Sequence, residues 1–188
     1  MPAERAYVPN MPPLMTADEL LQVNIPGKQV ELVRGVLVVR EPPGFQHGEI
    51  TLRLGAMLLR HVEDHDLGLV VVGDPGFKLA TDPDTVRGLD IAFICRDRVP
   101  HPSPTGFAAF PPDLVIEIRS PNDRPGDILG KVADWLSAGT RLVWVIDPAR
   151  RVAHVYRQDE TEAIVGAGDS LDGEDVVPGF SCAVAAIL

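Results

Sequence analysis

Cysteine is scarce in this chain: Cys95 and Cys182 are the only two in 188 residues. Two thiols cannot build a disulfide framework or a cysteine zinc site. Long apolar runs are missing too. Hydrophobic residues make up 45% of the chain, enough for a proper core, yet no run approaches the roughly 18 residues of a membrane span. The opening MPAERAYVPNMPPL lacks a basic segment followed by a continuous apolar one, so no signal peptide is expected. A cytoplasmic protein without membrane association is the default, and the length suits one domain over residues 1–188. G-x-S-x-G, Walker A and G-x-G-x-x-G motifs are absent and no Cys–His pair is suggested, which leaves little support for a metal-independent hydrolase.

Basic residues are missing from one region. From Gln158 to Leu188 there are seven acids and no Lys or Arg, leaving 20 acids against 17 bases elsewhere. The net charge of −10 therefore belongs largely to this tail. Such a balance argues against broad, unaided phosphate binding. It does not argue against a nuclease whose bound divalent ion brings its own positive charge.

The hydrophobic pattern predicts helices and strands in a mixed order. Residues 1–15 are Pro-rich and expected to be loosely ordered. TADELLQV starts with Thr16 and has Glu19 three residues on, a capping-box signature. Residues 29–33 and 35–40 read as a hairpin around Arg34-Gly35. Ile50, Leu54, Met57 and Leu58 mark the buried stripe of a long helix over residues 44–66. Strands are expected at 69–72, 77–80 and 89–95, with a turn at Gly73-Asp74-Pro75-Gly76, a polar loop at 81–87 and a Pro-rich loop at 96–112. A central strand at 114–118 leads into a helix with Asp123 as its cap, Pro125 in its first turn, the stripe Ile128, Val132, Trp135 and Leu136, and Gly139 after its end. Residues 141–146 and 151–157 form a further hairpin. The tail holds a short strand or two and ends in apolar AVAAIL, a weak hint of an interface. This order predicts an α/β (α+β) fold with a mixed β-sheet flanked by helices.

Three residues stand out chemically. Glu117 sits in the apolar run Leu114–Ile118, where a carboxylate is costly without a partner or a metal. Asp90 opens another apolar strand. Acids at neighbouring strand ends can share a hard cation such as Mg²⁺. Lys131 shares a helix side with Ile128 and Trp135, placing it near the buried stripe, where beside a metal it could orient or deprotonate an attacking water. Plainer readings stand beside these: Asp90 as a strand-edge acid, Glu117 paired with Arg119, Lys131 paired with Asp127. His61 and His65 have the i, i+4 spacing of a zinc pair, but the acid between them is not placed as in H-E-x-x-H, and no zinc is expected. Trp144 and Phe93 read as core.

The chain resembles the Uma2 family (DUF820), endonuclease-like proteins akin to the PD-(D/E)xK nuclease superfamily. The resemblance is carried by Leu89-Asp90-Ile91-Ala92, by Glu117-Ile118-Arg119-Ser120-Pro121-Asn122-Asp123, by Lys131, by Ala138-Gly139 and by Trp144-Val145-Ile146-Asp147-Pro148. TADELLQV, Glu31-Leu32-Val33-Arg34-Gly35, His47 and Val177-Pro178-Gly179-Phe180 extend it over nearly the whole chain. Departures are mild: Leu89 replaces the usual proline, Val30 an aromatic and Trp135 a tyrosine. Arg119 occupies the superfamily's usual lysine position and cannot act as a base at neutral pH.

The resemblance implies a restriction-endonuclease-like core with an N-terminal helix and hairpin and a C-terminal β extension. It implies Mg²⁺ or Mn²⁺ held by Asp90, Glu117 and the Ile118 backbone carbonyl. Lys131 then takes the lysine's role, with Glu31, His47 and Arg119 as accessory residues. The implied substrate is nucleic acid, with DNA favoured over RNA, and the implied assembly is a homodimer, since cutting two strands favours two sites. The competing reading is a catalytically inactive, nuclease-derived binding or regulatory module.

Overall fold

The computed structural model describes residues 13–188, so most of the Pro-rich opening, up to residue 12, lies outside the described residues. Met15 is already tied down, its N–H donating to the Gly35 carbonyl at 2.8 Å. Helix α1 (Ala17–Leu20) carries the expected capping box. The Thr16 side chain accepts from the Glu19 N–H, and the Glu19 carboxylate accepts from the Thr16 N–H. Strands β1 (Gln29–Val33) and β2 (Val36–Arg40) form the hairpin. Its two turn residues, Arg34 and Gly35, have φ of 50° and 76°, as a two-residue I′-type connection requires.

The long helix α2 (Phe45–Asp64) buries Ile50, Leu54, Leu58 and Val62 along one side. Met57, expected in that stripe, lies at its margin and is exposed. Then come β3 (Gly68–Val72), β4 (Gly76–Ala80), β5 (Thr85–Gly88), β6 (Ile91–Cys95), β7 (Leu114–Ile118), α3 (Pro125–Ala138), β8 (Leu142–Asp147), β9 (Val152–Arg157), β10 (Glu162–Gly166), β11 (Ser170–Asp172), β12 (Ser181–Ala183) and α4 (Val184–Ile187). Residues 85–87, expected in a polar loop, form with Gly88 a strand with all four residues buried. Pairing with β1 on one side and β4 on the other overrides their short, mixed sequence. Asp123 does not cap α3; Arg124 holds the cap position, and Asp123 instead accepts the Ser120 N–H at 2.7 Å.

The strands form a six-stranded sheet in the order β10-β9-β8-β7-β6-β3, a four-stranded sheet in the order β2-β1-β5-β4, and the pair β11-β12. Strands β7 and β8 are parallel, with α3 as their crossover, and the other neighbours in the large sheet are antiparallel. This is the mixed α/β architecture expected, with two substantial sheets where one was anticipated.

Alternation along β7 sorts the core. Leu114, Ile116 and Ile118 face α2, Trp144 and the C-terminal residues Phe180, Val184 and Ile187. Val115 faces the other way, towards Phe77 and the α3 residues Ile128, Val132 and Trp135. The apolar end of the tail contributes to the main core: Val184 and Ile187 are fully buried. No helix among the described residues is long and apolar enough to cross a membrane.

Candidate active site

The two sheets meet where the chain runs from β5 into β6 through Leu89 and Asp90. In the β6–β7 pair Ile91 lies opposite Ile116. Continuing that register one residue sets Asp90 opposite Glu117, and directly opposed residues of an antiparallel pair project to the same face. Asp90 Oδ2 accepts the Ile118 N–H at 2.7 Å, which fastens the acid to the end of β7. His47, in the first turn of α2, brings Nε2 to 3.0 Å from the same oxygen. Burial pulls the His47 pKa down, but the hydrogen bond and charge of Asp90, with Glu117 and Asp123, carry it above its ordinary value.

Glu117 is buried on the α3 side of the large sheet, and two α3 side chains one turn apart reach it. Lys131 Nζ donates to Oε2 at 2.9 Å and Trp135 Nε1 donates to Oε1 at 3.1 Å. Lys131 also lies 3.2 Å from Glu31 Oε1. Glu31, on β1, is a hub: Oε1 accepts the Gly88 N–H at 3.2 Å, while Oε2 accepts from Arg40 and Arg87, each at 2.9 Å. Arg87 continues to Asp134 on α3 at 2.6 Å. The network ties the hairpin, β5 and α3 together around one buried cluster. Glu117 does not pair with Arg119, nor Lys131 with Asp127. Arg119 turns away to Asp147 on β8 and does not line the cleft.

The charge states follow from these contacts. Burial works against the Glu31 carboxylate, but Lys131, Arg40 and Arg87 outweigh it and hold the pKa down at about 2. Burial pushes the Glu117 carboxyl up, against the opposing pull of Lys131. Burial also disfavours the Lys131 ammonium, yet Glu117 and Glu31 more than offset it and raise that pKa above its usual value. The two carboxylates at 2.9 and 3.2 Å decide the lysine's state: it is an ammonium at neutral pH. In its charged form the lysine can orient a water or steady negative charge.

These groups open into a cleft of about 500 Å³ lined by the hairpin, the start of α2, the β7–α3 loop and α3. Its lining holds seven acids (Glu31, Glu41, Asp74, Asp90, Glu117, Asp123 and Asp127) against Arg40 and Lys131. Asp74 was read from sequence as a turn residue. Burial, with Glu31 and Asp90 adding to it against Lys131, pushes its carboxyl up to about 6. Its side chain packs so close to Gly88 that a Cβ there would meet Oδ1 at 2.1 Å.

Hard oxygen donors and acidic excess suit a divalent cation of the Mg²⁺ type, which takes one or two carboxylates and completes its shell with water and phosphate. No group of three or more His, Cys, Asp or Glu side chains able to hold a metal is present among the described residues. The residues therefore fit an open, two-carboxylate site and not an all-protein cage. Arg87, Asp134, Asp74 and the Trp135 indole were not among the sequence-derived site residues. A buried tryptophan needs an acceptor for its N–H, which is the one signal that could have marked Trp135 as more than core.

The family model for Uma2, described as "Putative restriction endonuclease", matches residues 17–185. The chain belongs to the Uma2 family. In three dimensions it is similar to "a putative nuclease belonging to DUF820" from Anabaena variabilis ATCC 29413, with a TM-score of 0.81 at 18% sequence identity, over 92% of this chain and 97% of that one. At that identity the likeness establishes the fold, and the fold is the one the sequence led us to expect. Among curated proteins none matches this Uma2 chain.

Proposed function

We propose that this Uma2 protein, a single domain over residues 1–188, is a divalent-metal-dependent endonuclease that hydrolyses phosphodiester bonds of DNA. The observation that carries the reading is that Asp90, fastened to the Ile118 N–H, and its neighbour Glu117 line one acid-rich cleft. A polyanionic substrate meets repulsion in that cleft unless a cation is present. Asp90, Glu117 and the Ile118 carbonyl would hold Mg²⁺ or Mn²⁺. When bound, the ion supplies Lewis acidity and charge neutralisation at the phosphoryl group.

The chain's own groups do the rest. Asp90 is oriented by the Ile118 N–H and by His47. The Lys131 ammonium directs N–H donors at an attacking water and at the charge that builds on the phosphoryl oxygens. Glu31 keeps Lys131 charged and in place, so its accessory role is exerted through the lysine. His47, at the cleft wall, can contact phosphate. Arg119 serves the Asp147 contact. A homodimer and a cytoplasmic setting belong to the same reading.

The test is incubation of purified protein with DNA and with RNA in Mg²⁺ or Mn²⁺, alongside Glu117→Ala and Asp90→Ala. Metal-dependent cleavage of DNA that both variants lose supports the reading. Cleavage unchanged in Glu117→Ala means that the site lies elsewhere. A second reading, an inactive binding or regulatory module, is favoured by one feature: both Glu117 oxygens are already engaged by Lys131 and Trp135. Absence of Mg²⁺ and Mn²⁺ binding in calorimetry would select it.

A further inference from the structure

The solvent side of α2 carries an apolar stripe that the core does not use. Phe45, Leu52 and Leu59 recur at i, i+7 and i+14 and are 92%, 73% and 40% exposed. Seven residues fall only about 20° short of two full helical turns, so the three form one line. Exposed Gly48 and Ala56 lie between them. Along one flank runs Val72 of β3, 56% exposed, packed against α2 at Gly55, where a Cβ would meet its Cγ1 at 3.5 Å. The other flank is ionic: Glu49 pairs with Arg53 at 2.6 Å and Arg60 with Asp64 at 3.7 Å.

We propose that this face is a homodimer interface, closed by the same face of a second copy of the chain with the two α2 helices antiparallel. A two-fold axis near Leu52 makes the stripe self-complementary. Phe45 then faces the partner's Leu59, the two Leu52 side chains meet at the centre, and Gly48 and Ala56 allow close approach. In an antiparallel pair like flanks meet, so the ionic flank meets its own copy. Glu49 comes to within about 3 Å, along the axis, of the partner's Arg53, and this contact occurs twice against a single Arg53–Arg53 approach at about the same axial distance. Charge and shape thus point to this chain as its own partner in an isologous contact. A nucleic-acid occupant gains little from a flank whose charges balance.

The arrangement places the two α2 starts, each beside its own cleft, about 21 Å apart along the helix axis. It extends the nuclease reading by offering each strand of a duplex one cleft. Its test reads mass and not cleavage, so the two fail separately. Sedimentation equilibrium of the full chain over the micromolar range is expected to give twice the 20.3 kDa chain mass. Leu52→Asp is expected to be monomeric with an unchanged circular dichroism spectrum. Glu49→Arg and Arg53→Glu should each weaken dimerisation by about tenfold or more, a loss of ~1.4 kcal/mol. Mixed together, they should form heterodimers, because each variant then presents the charge the other lacks. A wild-type protein that stays at 20.3 kDa, a Leu52→Asp dimer, or a mixture that dimerises no better than its components would each overturn the proposal.

Discussion

Lys131 and Glu117 form an ion pair of 2.9 Å in a position where both side chains are nearly sealed from water. Desolvating two charges is expensive, and it is tolerated here because Glu31 and the Trp135 indole share the load. Removing one member strands the other. Lys131→Met should lower stability by about 3–5 kcal/mol at pH 7. The double variant Lys131→Met, Glu117→Gln should recover a large part of that loss. Urea denaturation of both variants and of Glu117→Gln closes the cycle, and a coupling near zero would mean that the pair is incidental.

Asp74 supplies a pH test with a definite sign. Its carboxyl is pushed up to about 6 by burial, with Glu31 and Asp90 contributing and Lys131 opposing. The folded state therefore holds the proton more tightly than the unfolded chain. The penalty is absent below the unfolded pKa, grows as pH rises through the window from about 4 to 6, and is constant above it. Asp74→Asn should be more stable than the parent at pH 7.5 by on the order of 1 kcal/mol, discounted for the partial exposure of the side chain. That advantage should shrink as pH falls towards 4. Denaturant midpoints at a series of pH values measure it, and a constant difference across the range would rule the account out.

Glu31 gives the opposite slope. Burial alone would raise its pKa, yet Lys131, Arg40 and Arg87 hold it at about 2. The stability it contributes is present above its unfolded pKa and is lost as pH falls towards 2. Glu31→Gln should cost about 3 kcal/mol or more at pH 7 by leaving buried cations under-compensated. The cost should diminish on acidification through the range from about 4.5 to 2. Acid unfolding curves of parent and variant, converging at low pH, are the expected result.

The legible part of this site was the part carried by local contrast. Glu117 inside Leu114–Ile118, Asp90 at the head of an apolar strand and Lys131 beside a buried stripe each break a pattern within a few residues, and the structure brings all three to one cleft. Their partners were hidden because they are long-range. Arg87 looked like part of a polar loop, since nothing near it reveals that β1 and β4 will flank Thr85–Gly88. Asp74 looked like a turn residue, because its approach to Gly88 depends on how β4 folds back along β5. Trp135 was legible as core, but its choice of Glu117 as acceptor required the packing of α3 on β7. The same holds for the fold: the elements could be read in order from their periodicity, whereas the division into two sheets depends on pairings up to some fifty residues apart, such as Leu32 with Val86.

The role of Lys131 can be separated from that of a base by two substitutions. Held between Glu117 and Glu31, it stays charged at neutral pH. If its contribution to cleavage is a fixed positive charge, Lys131→Met should lower kcat by about 10²–10³, the usual effect of losing one charge-stabilising donor. Lys131→Arg keeps the charge and cannot accept a proton at any accessible pH. It should therefore retain at least about ten times the activity of Lys131→Met, although its larger head group will disturb the contact with Glu31. Calorimetric titration with Mn²⁺ in the same variants separates turnover from binding, and thermal unfolding identifies any loss that is merely structural. Equal inactivity of the two variants, with Mn²⁺ binding and folding intact in both, would return proton transfer to the lysine and contradict the charge state that its two carboxylate partners impose.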